Sequence, residues 1–588
     1  MSTGSPLPAP PARPHSLLAD LRRQIARFLA EPILPEDQFF FLLSIVIGLF
    51  GGLSVVCFQV AINATRFSLL GSSLRPPAAR VLLAPALAGL VVAVLVWRFF
   101  PRVRGSGVNQ TKAAVYIFNG RIPFSTVIGK FVTCALAIGS GQSLGPEDPS
   151  LQIGAGIASA LGRRMQLSRE KLRLIAPVGA AAGLAAAFNS PISAVLFVIE
   201  EVIGTWSAGV LGAVVVSAVA SVTVERWLMG EAPLFRVPAF HLRHPFELLG
   251  YAALGVIGGY FSIFFLRLVL TLRPKLKQLP PWTQLIQPAA AGLLIGLIGL
   301  GFPQVMGAGY DYMDQAMHDQ FAWRLLLLLA ALKLITTSLS FVSGTPGGLF
   351  APTLFMGAML GGAVGGLEHH LLPILSGPTG SYALVGMGTL FAGILRAPMT
   401  SIFMVVEVTG DYSVIVPVMI SNAIAYLISR NHQRSALFDE LSRQDGLNLP
   451  SMEERREETL LRAEDAMRRL LAPTLFATDT VREARGRVQR TSEPYLLVRG
   501  DFGWGGFPAD LLNSEGRRLP DDLLVGSLCT HRGLPTLHPD EALETALRLV
   551  EDRPLLPVVS RTDHGFLQGV LGLQEILQAY RRREEAGS

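Results

Sequence analysis

Apolar runs dominate the chain as far as about Arg430, and they are of two kinds. Uninterrupted stretches at about Phe39–Ala64 and Ala79–Phe99 are long enough to cross a bilayer, which takes about 20 apolar residues. Shorter apolar segments follow at 122–140, 151–162, 174–187 and 190–203, separated by Gly, Ser and Pro. Long runs return at 206–228, 247–270, 285–302 and 322–342, and broken ones at 349–366, 381–396, 398–408 and 412–429. Interrupted hydrophobic segments in matching places of two halves predict a repeat-built transporter with a binding site near the membrane midplane.

The halves match residue for residue at several points. Gly105-Ser106-Gly107 corresponds to Gly307-Ala308-Gly309 at an offset of 202. Pro149-Ser150-Leu151 with Gly154-Ala155 corresponds to Pro352-Thr353-Leu354 with Gly357-Ala358 at 203. Pro191-Ile192-Ser193 and Glu200 correspond to Pro398-Met399-Thr400 and Glu407 at 207. Ordered matches at nearly constant spacing indicate a duplication.

The flanks differ. Met1–Pro14 is rich in Pro and Ser and reads as disordered. From Ser16 to Ala30, Leu17, Leu21, Ile25, Phe28 and Leu29 form one stripe beside Arg22, Arg23 and Arg27, the pattern of an interfacial amphipathic helix. After Arg430 the chain turns polar. From about Glu464 it reads as soluble α/β sequence, with strands expected at Pro494–Val498 and Leu555–Val559 and helices at Asp540–Asp552 and Leu573–Arg583.

Composition agrees with a polytopic membrane protein. Half of the 588 residues are hydrophobic and 16% are charged, against about 25% in soluble domains. The net charge of +6 is spread along the chain and makes no nucleic-acid footprint. Cys57, Cys134 and Cys529 are too scattered for a disulfide framework or a metal cluster.

One stretch stands out against this background. Gly145-Pro146-Glu147-Asp148-Pro149 places two adjacent carboxylates deep in apolar sequence, where each ionised side chain costs at least ~2.5 kcal/mol. Pro followed by acids also marks a helix start, whose free amides and dipole attract anions. The acids read either as first-turn residues of an interfacial helix or as an anion site carrying its own carboxylate.

These motifs, in this order, resemble the CLC family of chloride channels and proton-coupled chloride transporters over about residues 35–446, with a pair of cystathionine-β-synthase-type (CBS) domains over about 464–583. Gly105-Ser106-Gly107, Gly145-Pro146-Glu147-Asp148-Pro149 and Gly347-Gly348-Leu349-Phe350-Ala351-Pro352 match the family's three anion-binding loops, and Phe188-Asn189-Ser190-Pro191 through Glu200-Glu201 matches its inner proton-carrying helix. The resemblance implies an all-α polytopic membrane domain with an inverted internal repeat (halves 35–230 and 245–446) and a C-terminal α/β CBS pair. Residues 1–34 would form the disordered start and interfacial helix, and 447–463 a linker. It implies chloride transport coupled to protons, in a homodimer of a bacterial inner membrane with the CBS domains cytoplasmic. Chloride, protons and lipid are then the partners. No catalytic residue, required cofactor, metal or nucleic acid is expected.

By the same resemblance Glu147 is the gating carboxylate and Glu201 the inner proton relay. Ser106, the amides of Leu349 and Phe350, and position 438 bind chloride. Partial charges suit a transported ion, which a full cation would hold too tightly. Glu200, matched by Glu407, reads instead as a structural cap. Ser at 106, rather than Pro or Met, fits chloride better than nitrate or fluoride. The chain departs from the family pattern in three places: Pro146 stands where Arg is usual, Asp148 where Gly is usual, and Phe438 where a Tyr hydroxyl usually meets the anion. Pro146 and Asp148 are thus expected modifiers of the gate, and Phe438 keeps a passive chloride channel open as the alternative. In the CBS pair the ribose-contacting positions fall at Gly572 and Glu575, which leaves adenine nucleotide as a candidate ligand. An intramembrane aspartyl protease built on Asp311 and Asp411 is disfavoured, because Val408 stands where such enzymes carry Gly.

Overall fold

The computed structural model describes residues 36–587 apart from 72–76, 166, 205–207, 236, 238–243, 372–376, 434, 448, 450–460, 489–492, 514–518, 551–552, 562 and 564. The N-terminal segment 1–34 and most of the 447–463 linker therefore lie outside the described residues. The chain divides into two compact units, Met1–Leu449 and Pro450–Ser588.

The first unit is helical. Among the described residues, eight of its helices are long and apolar enough to cross a membrane, including Glu36–Leu70, Ala78–Arg98 and Glu247–Lys277. Phe124–Gly139, Thr379–Leu395 and Pro398–Thr409 are shorter apolar helices. Glu147–Arg164 and Phe350–Leu371 both begin among buried residues. Two short helices, Gly107–Tyr116 and Tyr310–Met317, have no counterpart in the hydrophobic pattern.

The duplication is visible in the packing. A Cβ on Gly154 would lie 2.2 Å from the Gly179 carbonyl oxygen, and one on Gly183 2.1 Å from that of Ser150. Helices Glu147–Arg164 and Arg169–Phe188 therefore touch backbone to backbone. The same contact recurs 203 residues on, where a Cβ on Gly357 would lie 2.3 Å from the Gly386 oxygen. Two fully buried lysines repeat as well: Lys130 Nζ donates to the carbonyls of Val103 and Gly105, and Lys333 Nζ to those of Val305 and Gly307. Each ammonium clamps the loop that carries the Gly-x-Gly motif of its own half.

The halves also cap one another. Glu200 accepts from the amides of Met399 and Thr400 at 3.1 and 2.9 Å, while Glu407 accepts from those of Ile192 and Ser193 at 3.0 and 2.7 Å. Each acid satisfies the open N–H groups at the helix start of the other half, where the positive dipole end favours it.

The second unit contains a four-stranded sheet in the order Leu475–Phe476, Tyr495–Gly500, Gly503–Pro508, His531–Arg532, and a two-stranded sheet pairing Leu556–Val559 with Leu567–Leu571. Gly503, at φ +79, closes the hairpin between the two longest strands with a conformation only Gly adopts freely. The strands expected near Pro494–Val498 and Leu555–Val559, and the helices near Asp540–Asp552 and Leu573–Arg583, are present as Tyr495–Gly500, Leu556–Val559, Leu543–Val550 and Leu573–Gly587. Its two main cores repeat: buried Leu475, Val481, Ala484 and Val488 each have a buried apolar counterpart 62 residues later, at Leu537, Leu543, Ala546 and Val550.

Arg468 ties this unit together, donating to Glu493 at 2.6 and 2.9 Å and to Glu575 at 2.8 Å. Hydrogen bonds from Arg468 hold the Glu493 carboxyl below its ordinary range, with a further bond from the Leu471 amide at 3.0 Å. A lowered folded pKa stabilises above the unfolded carboxylate range, and that gain disappears as pH falls through the folded value. In the full-length protein, hydrogen-exchange protection of the Leu471 amide should therefore fall on acidification. Arg468→Met should show reduced protection already at neutral pH.

Candidate anion and proton site

The site is built where helix starts from the two halves converge. Gly145 and Gly348 exchange both backbone hydrogen bonds at 2.8 Å, joining the Glu147 loop to the loop that opens helix Phe350–Leu371. Neither position has room for a side chain: a Cβ on Gly348 would sit 2.8 Å from Asp148 Cβ, and one on Gly145 2.4 Å from Glu147 Oε2. The fully buried Glu147 carboxylate lies across this junction. Its Oε2 accepts from the Ala351 amide at 3.2 Å, and its Oε1 accepts from the Tyr310 hydroxyl. The side chain thus occupies the amide-rich start of helix Phe350–Leu371, where Phe350 and the preceding Leu349 are both buried.

Asp148 goes to a different helix start. Its Oδ1 accepts from the Val108 amide at 2.8 Å, with the Ser106 hydroxyl and Gly107 amide also facing it. Ser106 is the N-cap of Gly107–Tyr116, accepting from the Val108 amide at 3.1 Å. Two adjacent carboxylates are thereby splayed onto two separate helix N-termini, a division not evident from their neighbouring positions. Pro146 stands before them and lines an adjoining cavity.

Phe438 closes the site from the helix Leu437–Gln444. Its ring meets that of Phe350 edge-on at 6.2 Å, and Phe188, Phe197 and Phe391 surround Phe350 on other sides. Phe438 is buried and supplies an aromatic edge where a tyrosine would supply a hydroxyl.

Glu200 and Glu201 part company on a π-helical turn, Val198–Ile203. Glu200 caps the opposite half. Glu201, buried at 3% exposure, accepts from Lys112 Nζ at 2.6 Å, and the same ammonium donates to Asp439 at 3.1 Å. Sequence reasoning missed Lys112, Asp439 and Tyr310. Lys112 lies six residues beyond Ser106, and Asp439 follows Phe438, so both neighbour residues already singled out.

Two cavities of about 360 Å³ each flank the site. Pro146, Phe188, Gly307 and Tyr310 line the first, which reaches Glu147 through Tyr310. Arg104, Gly105, Arg273, Lys277 and Asp445 line the second, beside Ser106. Arg273 and Lys277 pair with Asp445 at 2.9 and 2.6 Å, leaving the lining basic, an arrangement that concentrates anions. Asp311 pairs with the exposed Arg66, and Asp411 accepts from the Ser413 amide and hydroxyl in its own loop, so neither has the environment of a catalytic dyad.

Comparisons with known proteins identify the family. The family model described as "Voltage gated chloride channel" matches residues 88–430. A "Putative chloride channel protein ClcB-like" of Ralstonia nicotianae is 31% identical over 421 residues, 69% of this chain and 97% of that protein. An "H(+)/Cl(-) exchange transporter ClcA" of Vibrio campbellii is 31% identical over 430 residues, 71% and 92% of the two chains. Among solved structures, a slow cyanobacterial Cl−/H+ antiporter superposes with TM-score 0.64 at 25% identity, covering 70% of this chain and 98% of that one. A eukaryotic CLC transporter shares the fold at 20% identity, with TM-score 0.61 over 91% of this chain and 97% of its own. On the extent of the family match and of these relatives, the chain belongs to the CLC family of voltage-gated chloride channels and transporters.

Proposed function

We propose that the chain exchanges chloride for protons across a membrane, with Glu147 as the gating carboxylate and Glu201 as the inner proton relay. The observation that carries this reading is the seat of Glu147, whose carboxylate takes the Ala351 amide at the start of helix Phe350–Leu371. A carboxylate and a chloride cannot hold the same amides together. Protonation removes the charge that keeps Glu147 there and frees the amide for chloride, so one residue links binding of an anion to gain of a proton. Ser106 and the amides of Leu349 and Phe350 serve as chloride ligands, with the ring edge of Phe438 beside them. Pro146 and Asp148 modify the gate. The exchange transporters named among the relatives support antiport over passive conduction.

Purified protein in chloride-loaded liposomes tests the reading. Chloride leaving the vesicles should draw protons inward and turn the outside medium alkaline, even against a proton gradient. Chloride flux without any pH change would establish the second reading, a passive channel, which Phe438 favours by removing a hydroxyl from the anion site.

We further infer that 35–446 forms the transport domain in two inverted halves, 35–230 and 245–446, and that subunits pair as homodimers in a bacterial inner membrane. The reciprocal caps of Glu200 and Glu407 support a two-fold relation between the halves. Residues 464–583 are assigned as a tandem CBS pair on the cytoplasmic side, supported by the 62-residue spacing of its buried positions and by a fold likeness that extends beyond Leu449. Glu575 bonds Arg468 and the Gly572 amide, which favours a regulatory or packing role for this pair, with adenine nucleotide retained as the candidate ligand.

A further inference from the structure

The anion-binding loops contain one carboxylate more than a single gate requires. Asp148 is 1% exposed, and its side chain fills the space between Gly107 and Gly348. A Cβ on Gly107 would meet the Asp148 carbonyl oxygen at 2.5 Å and its Oδ1 at 2.7 Å, so the glycine lets both the backbone and the carboxylate of Asp148 approach. Val108 donates its amide to Asp148 at 2.8 Å, and the Ser106 hydroxyl and Gly107 amide face the same group. These are the donors of the loop to which chloride binding is assigned. Lys130 stands behind the loop, its ammonium spent on the carbonyls of Val103 and Gly105. Asn109, one residue past Val108, is 2% exposed, and neither amide atom of its side chain has a hydrogen-bond partner among the described residues. The helix start therefore keeps further polar capacity beyond what Asp148 uses.

We propose that Asp148 is a second tethered carboxylate in the anion path, seated on the Ser106–Val108 helix start, so that chloride binds there only by displacing it. The inference rests on the transport reading above. Glu147 and Asp148 then act on different helix starts: Glu147 excludes chloride from the Ala351 amide, and Asp148 from the Val108 amide. A carboxylate bonded to the Val108 amide outcompetes a free monovalent anion because it is held at high local concentration by its own backbone. Wild-type protein should accordingly bind chloride weakly at this position.

The test is calorimetric titration of full-length protein in detergent with sodium chloride. Asp148→Asn keeps an oxygen that accepts from Val108 but removes the charge, and Asp148→Gly removes the side chain altogether. Both should tighten chloride binding by at least about tenfold, since a like charge within contact distance is gone. Combining Asp148→Asn with Glu147→Gln should raise the number of chloride ions bound per subunit above that of Glu147→Gln alone. A purely structural cap would be preserved by Asn. Unchanged affinity and stoichiometry in folded Asp148→Asn, with chloride flux intact, would overturn the proposal while leaving the transport reading standing. Absence of both chloride binding and chloride flux in wild type and variants would overturn the two together.

Discussion

In Glu147→Ala, chloride still crosses the membrane but coupled proton movement falls to the leak of protein-free vesicles. The Glu147 carboxylate both competes for the Ala351 amide and can carry a proton to the cavity lined by Pro146 and Tyr310. Alanine leaves the Ala351 amide to chloride and supplies no proton carrier. Because Glu147 is buried and has no ion-pair partner among the described residues, its loss leaves no unpaired charge behind. The variant should therefore fold and conduct. Tyr310→Phe is the matching control, since it removes a hydrogen bond to the same carboxylate but no proton carrier. Simultaneous recording of chloride efflux and external pH decides the matter. Proton pumping that persists in Glu147→Ala would move the gate to another residue.

Lys112→Met should be the more damaging change to the protein itself. Lys112 is the shared counter-ion of Glu201 and Asp439, with side-chain exposures of 0%, 3% and 8%. Removing one partner of a buried ion pair costs about 3–5 kcal/mol, because it leaves a buried charge without its counter-ion. Here two carboxylates are left facing each other. A lowered melting temperature of the purified protein in detergent is expected. Neutralising the acids as well, in Lys112→Met/Glu201→Gln/Asp439→Asn, should recover most of it. A single variant as stable as wild type would show that water reaches the cluster.

The long elements were legible because burial and lipid contact both select apolar side chains, so every run from Phe39 to residue 429 reappears as helix, some helices extending six or seven residues further. What escaped were helices whose own residues are polar. Gly107–Tyr116 contains Asn109, Gln110, Thr111 and Lys112, and Tyr310–Met317 contains Asp311, Asp314 and Gln315. Their buried apolar residues, Val108, Ala113, Ala114 and Val115 in one and Met313, Ala316 and Met317 in the other, are too few to stand out as a hydrophobic run. The motif loops were legible as a set, because they recur in order, and at Gly145 and Gly348 the glycine marks a place where backbones come close. The partner of a charge was not. Lys112 finds Glu201 across 89 residues and Asp439 across 327, and no local pattern encodes either distance. Likewise the sequence places Glu147 and Asp148 side by side, while only the fold sends them to different helices.

The reciprocal caps also set a timetable for synthesis. Ile192 and Ser193 leave the ribosome 215 and 214 residues before the Glu407 carboxylate that satisfies their amides. At about 5–20 residues per second, that interval lasts roughly 10–40 s. Throughout it, the nascent first half carries a helix start whose N–H groups have no partner of their own, and hydrocarbon offers none. That segment has to wait near water or beside an insertion factor until the second half arrives. A ribosome stalled between the halves would expose it to the quality-control machinery of the membrane.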